Sequence, residues 1–155
     1  MGTTLRALLD LAGGLRPRRT LQTVLLGGAA GSFVMPAQLD VPLSFEGTRA
    51  IGATLGSGAV IVFDDTADMK QVLVRIARFF RDESCGQCVP CRVGTKRQEE
   101  ILERMFAEQN GDPRSDVMLL SDIAQAMRDA SICGLGQTAA NAIASGLTQL
   151  KVLNV

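Results

Sequence analysis

Glu83-Ser84-Cys85-Gly86-Gln87-Cys88-Val89-Pro90-Cys91-Arg92-Val93-Gly94-Thr95 places three thiols at i, i+3 and i+6, and Ser131-Ile132-Cys133-Gly134-Leu135-Gly136 supplies a fourth. These two segments hold all four cysteines of the 155-residue chain. Three closely spaced thiolates can curl around one inorganic cube and a distant fourth can close it, which is the ligand count of a 4Fe-4S cluster. Cys85, Cys88, Cys91 and Cys133 are therefore the candidate cofactor-binding and metal-ligating residues. Zinc held by four cysteines is the alternative, although its usual signature is two separated C-x-x-C pairs rather than a triplet and a singlet. A disulfide framework fits less well, because the N-terminus lacks the charged, apolar and cleavage regions of a secretory signal, and a reducing compartment is expected.

Composition removes other chemistries. Histidine is absent, which excludes a Ser-His-Asp or Cys-His nucleophile, a mixed Cys/His zinc site and a Rieske centre. Sixteen Lys plus Arg balance sixteen Asp plus Glu, so the chain lacks the basic surface that nucleic acid demands, and six Phe with no Trp or Tyr leave little for base stacking. Hydrophobic residues make up 46% of the sequence, enough to build a core. No apolar run approaches the roughly 20 residues of a spanning helix, so no direct membrane insertion is expected. The expected location is cytoplasmic, or peripheral to a membrane through a complex. Gly56-Ser57-Gly58 lacks the third glycine of a dinucleotide fingerprint and Gly27 to Gly31 has the wrong spacing, so both read as turns.

Around the cysteines the pattern is helical. Met69, Val72, Leu73, Ile76 and Phe80 share one face of a helix that Asp65 is expected to cap, while Arg75, Arg78 and Arg81 form a solvated basic side or, alternatively, a surface for an acidic partner. Gly86 allows a tight bend between Cys85 and Cys88, and Pro90 fixes the turn into Cys91. The next helix is expected from about Arg92 to Phe106, its positive end toward the thiolates, with Arg92, Lys96 and Arg97 either adding charge there or forming an ordinary polar face. Gly111-Asp112-Pro113 should end it, and Ser115 or Asp116 should cap a third helix buried through Leu119, Ile123 and Met127. Met105, Met118 and Met127 read as core fillers. Gln137 to Leu150 reads as a last helix, and Leu135 as a shield beside Cys133. Four helices then pack as a bundle with the metal at one end.

The first half is different. Thr3 or Thr4 caps a short helix carrying Leu5, Leu8, Leu9 and Ala12, stopped by Gly13-Gly14. Leu21 to Leu26, Val41 to Phe45 and Ala59 to Phe63 read as strands, the last nearly all apolar and hence expected at the centre of its sheet. The composition changes at Asp64-Asp65, giving an α+β organisation with domains over 1–64 and 65–155.

Glu83 to Thr95, together with Cys133 in its Gly-Leu-Gly setting, resembles the cluster-binding region of the NADH-binding flavoprotein subunit of respiratory complex I and of the related diaphorase subunits of NAD-linked hydrogenases and formate dehydrogenases. The resemblance implies that residues 1–64 are a β-grasp module of the soluble-ligand-binding type, incomplete for want of the family's leading hairpin. A partner is then expected to cover the exposed sheet edge. It also implies that FMN and NAD(P)H are bound by a partner or by a domain outside this sequence.

Two functions follow. The first is an electron-transfer subunit of an NAD(P)H-linked oxidoreductase complex that carries single electrons on one 4Fe-4S cluster between flavin-bearing and iron–sulfur subunits, and is not catalytic alone. The second is an assembly adaptor stabilised by a metal site of four cysteines. Reversible reduction of the centre separates them.

Overall fold

The computed structural model describes residues 2–107, 112–150 and 152. The chain divides into two compact units, Met1–Ala67 and Asp68–Val155.

In the first unit, α1 (Leu5–Leu11) begins where the Thr4 hydroxyl accepts the Ala7 N–H at 3.2 Å. Leu5 is wholly buried, and the amides of Leu5 and Arg6 bond to the carbonyls of Val41 and Leu39. The sheet joins β1 (Leu21–Leu26), β2 (Ser32–Val34) and β3 (Val60–Asp64) in the order β2-β1-β3, all antiparallel, with Val24 opposite Val34 on one side and Val62 on the other. Leu5, Val24, Leu26, Val34, Leu39 and Val41 form the core.

Two expectations fail in this unit. The apolar strand expected at the centre, β3, lies at an edge with Ile61 44% and Val62 39% exposed, and β1 is central instead. A continuous apolar run records low polarity on both faces, and cannot say how many neighbours a strand has. Val41 to Phe45 is no strand either. Pro42 lacks an amide donor and makes one isolated bridge to Thr4, after which the Ser44 hydroxyl accepts the Gly47 N–H and caps α2 (Phe45–Ala50).

The second unit is helical, comprising α3 (Met69–Glu83), α4 (Val89–Phe106), α5 (Pro113–Ala130), α6 (Gly134–Thr138) and α7 (Asn141–Gln149). α4 packs against α3 and α5, α6 packs against α4 and α5, and α7 lies on α3. Asp68, not Asp65, caps α3 by accepting the Gln71 N–H, while Asp65 accepts the Thr20 N–H. The expected caps of α5, Ser115 and Asp116, are likewise displaced by Asp112, which takes the Arg114 N–H ahead of Pro113. Gly111, expected to help stop α4, lies outside the described residues.

The buried phase of α5 runs through Leu120, Ala124 and Met127, so Leu119 and Met118 face outward, Met118 being 69% exposed. The last helix is broken after Thr138, leaving Ala139 and Ala140 between α6 and α7. Arg75 and Arg78 are exposed, as expected of a solvated face, and Arg81 is half-buried, but Arg78 and Arg81 are also engaged in ion pairs. Both reach across to α4, where Glu99 is paired with Arg78, Arg81 and Lys96, and Glu103 with Arg78. Lys96 and Arg97 are engaged by Glu99 and Glu100, the ordinary polar-face arrangement.

Candidate metal centre

α4 starts earlier than its sequence indicates, at Val89, with Cys88 in the N-cap position and Pro90 in the first turn. Proline is tolerated there because the amide it lacks has no intrahelical acceptor. Cys91 consequently sits on the helix itself and is buried, whereas Cys85 is exposed and Cys88 intermediate. Gly86 turns the Cys85–Cys88 loop with φ of 77°, a left-handed conformation that side chains with a Cβ disfavour. The Arg92 guanidinium folds back and donates to the Gly86 carbonyl at 2.8 Å, fastening that loop to the first turn of α4.

Cys133 occupies the N-cap position of α6 and is exposed. α6 reaches the cysteines only because residue 136 has no side chain: a Cβ there would lie 2.8 Å from the Cβ of Cys91 and would collide with the Ser131 side chain. The Gln137 amide donates to the Ser131 carbonyl and holds the loop shut.

The electrostatics show which groups have been brought together. The Cys88 thiol is held below its ordinary value, chiefly by the Ile132 N–H, with opposing desolvation and further help from the Cys91 N–H and the Ser131 hydroxyl. Cys91 is pushed up by burial; the Ser84 hydroxyl, 3.3 Å from its sulfur, opposes that, while Cys88, Cys133 and Cys85 push the same way by like-charge repulsion. The other three cysteines lie close enough to Cys91, in the first turn of α4, to act on it by like charge, and a cation-bearing group bound there would relieve that repulsion.

The donor set fits a cluster. Among the described residues no three Cys, Asp or Glu side chains meet at the spacing of a single metal ion. A 4Fe-4S cube spreads four thiolates over four irons and needs no such point. The Ser131 hydroxyl supports the same fit: it is buried beside Cys88, close enough to help depress that thiol, but has no partner of hydrogen-bond geometry. Sequence reasoning assigned no role to Ser131 or Ser84. Their only signal is proximity to cysteine along the chain.

A thiol triplet at a helix N-terminus, met by the loop that carries a fourth thiol, has the makings of an iron–sulfur protein. The sequence profile of the NADH-ubiquinone oxidoreductase-F iron–sulfur binding region matches residues 71–152, and the chain belongs to this family, whose cofactor is a 4Fe-4S cluster. It is similar to the F subunit of the NADH-quinone oxidoreductase of Mycobacterium tuberculosis, 37% identical over 151 residues that make up 97% of this chain and 34% of the relative. The corresponding protein of Streptomyces coelicolor is 40% identical over 147 residues, 95% of this chain and 32% of the relative. The HndC subunit of the NADP-reducing hydrogenase of Solidesulfovibrio fructosivorans is 36% identical over 146 residues, 94% and 29% of the two chains. The crystal structure of an NAD+-reducing [NiFe]-hydrogenase in its H2-reduced state matches with a TM-score of 0.78 and 36% identity, covering 95% of this chain and 24% of that one. The chain thus spans about a third of the length of these curated relatives. Among the described residues no helix is long and apolar enough to cross a membrane.

Proposed function

We propose that this chain is the iron–sulfur relay portion of an NAD(P)H-linked oxidoreductase, with Cys85, Cys88, Cys91 and Cys133 as the ligands of one 4Fe-4S cluster at one end of its helical unit. The observation that carries the reading is the close approach of Gly136 to Cys91, where an added Cβ would lie 2.8 Å from the Cys91 Cβ, which joins the triplet to the loop bearing Cys133. When bound, such a cluster supplies one-electron transfer. The chain's own residues set how readily it does so. The Ser84 hydroxyl lies 3.3 Å from the Cys91 sulfur and the unpartnered Ser131 hydroxyl is buried beside Cys88, and hydroxyls that donate to cluster sulfurs favour the more negative, reduced state. Burial of Cys91 keeps water from one side, while Cys85 and Cys133 remain at the surface.

Val89 and Ile132, each next to a cysteine in sequence, are 58% and 75% exposed. Apolar side chains left at the surface beside a redox centre suit contact with a partner subunit bearing the next carrier. Flavin and nicotinamide sites belong in this proposal to the rest of the parent protein or to a partner, since no acid–base pair or nucleotide loop accompanies the thiols in the sequence.

The test is anaerobic EPR of the purified chain, as isolated and after reduction, with iron and sulfide assayed on the same sample. About four irons per chain and a reduced S = 1/2 signal support the relay. Zinc in place of iron sinks it and leaves a structural adaptor.

A further inference from the structure

Of the three cations in the first turns of α4, Lys96 faces Glu99 and Arg97 faces Glu100. Arg92 is exposed, and no carboxylate among the described residues pairs with it. Its guanidinium turns back instead to the Gly86 carbonyl, to which it donates at 2.8 Å, and its Cδ lies 3.9 Å from where a Gly86 Cβ would stand. Gly86 is also held through its N–H, which donates to the Ser84 hydroxyl at 3.4 Å, and that hydroxyl lies 3.3 Å from the Cys91 sulfur. The loop between Cys85 and Cys88 is thus tied to α4 at both polar groups of one residue, and one of the two ties carries a positive charge.

We propose that Arg92 is a positioning residue of the metal centre with two separable effects: its hydrogen bond sets the loop that carries Cys85 and Cys88, and its unpaired charge raises the reduction potential of the centre. The inference rests on the cluster reading given above. A guanidinium without a carboxylate partner leaves its field uncancelled, and the loop it reaches bears two of the four thiolates. Positive charge there stabilises the more negative, reduced state of a thiolate-bound cluster over the oxidised one. Because Arg92 stands in solvent, salt screens that field, whereas a hydrogen bond that only shapes the loop is little affected by salt.

The test is EPR-monitored titration of the cluster-loaded full chain with dithionite, one electron per cluster, comparing the native protein with Arg92→Gln and Arg92→Lys at equal iron content. At about 0.01 M salt the Gln variant should be about tenfold harder to reduce, which for one electron is a shift of about 59 mV to more negative potential. The difference should shrink severalfold at about 1 M salt, where the Debye length falls from about 30 Å to about 3 Å. Arg92→Lys keeps the charge and should titrate near the native value. A residue that served only to hold the loop would lower iron content without moving the potential of the loaded fraction. Should Arg92→Gln retain no cluster, Arg92→Lys should restore loading at a potential near the native one. The proposal is overturned by a loaded Gln variant at the native potential, by a difference that high salt leaves intact, or by a lysine variant that falls as far as the Gln variant or loads no better than an empty one. A native chain that takes up no cluster defeats the relay reading and this inference together, whereas a native chain that titrates reversibly beside an unshifted Gln variant defeats the inference alone.

Discussion

The Cβ that Gly136 lacks would lie 2.8 Å from the Cβ of Cys91, so the α6 turn and the first turn of α4 meet backbone against side chain. Gly136→Ala should therefore push the Cys133 loop away from the triplet. A cost of roughly 1–3 kcal/mol is expected from overpacking. Iron and sulfide per chain should fall together, and urea denaturation should show an earlier midpoint. Full iron loading with unchanged stability would mean that the two elements are not held in this contact.

Ser131→Ala removes the hydroxyl beside Cys88 without changing the thiol set. If it donates to sulfur in the loaded protein, the reduced state loses a stabilising hydrogen bond. The midpoint potential should then become more negative, on the order of tens of millivolts. EPR-monitored redox titration checks this at equal iron content, and Ser84→Ala should move in the same direction.

Glu99 is almost wholly buried between α3 and α4, with its charge met by Arg78, Arg81 and Lys96. Burial raises its pKa, but the hydrogen bonds from Lys96 and Arg81 outweigh burial and leave it lowered. A lowered carboxyl stabilises the fold above the unfolded value of 4.5, and that contribution is lost as pH falls from there through the folded pKa. Glu99→Gln should cost roughly 1–3 kcal/mol at pH 7, less than a fully buried pair because the cations are partly exposed. Stability of the variant should also fall less steeply below pH 5 than that of the native chain. Parallel pH profiles would contradict this.

β3 is an edge strand of the sheet with Ile61 and Val62 exposed. Such an edge invites pairing, so the isolated chain should associate with rising concentration, and Ile61→Lys should weaken the association. Sedimentation velocity gives the answer directly. A native chain that stays monomeric at every concentration would show that the edge needs no cover.

Gly136, Ser131 and Glu99 each meet a group distant in sequence: Cys91, Cys88 and Arg81. That is also where sequence reasoning was weakest. The phase of α3 was readable because Leu73, Ile76 and Phe80 repeat at helical spacing, and β1 was readable between its basic turn and Gly27-Gly28. The phase of α5 was not, because Leu119, Leu120, Ile123 and Met127 offer overlapping apolar stripes and only packing against α4 chooses among them. Asp68 was preferred to Asp65 as a cap because Asp65 is engaged by the Thr20 amide across the first unit.

By itself the sequence determined the kind of cofactor chemistry available, since thiols without histidine at this spacing restrict both the metal and its ligands. It also determined that a mixed α/β half precedes a helical half, because periodicity and glycine punctuation are local properties. The tertiary structure alone decided that β1 rather than β3 is central, that Cys91 is the buried thiol, and that Gln98 and Ser131 are left with unpaired polar atoms. These depend on which surfaces meet, and a short-range pattern of side chains cannot specify the neighbour that a distant segment will supply.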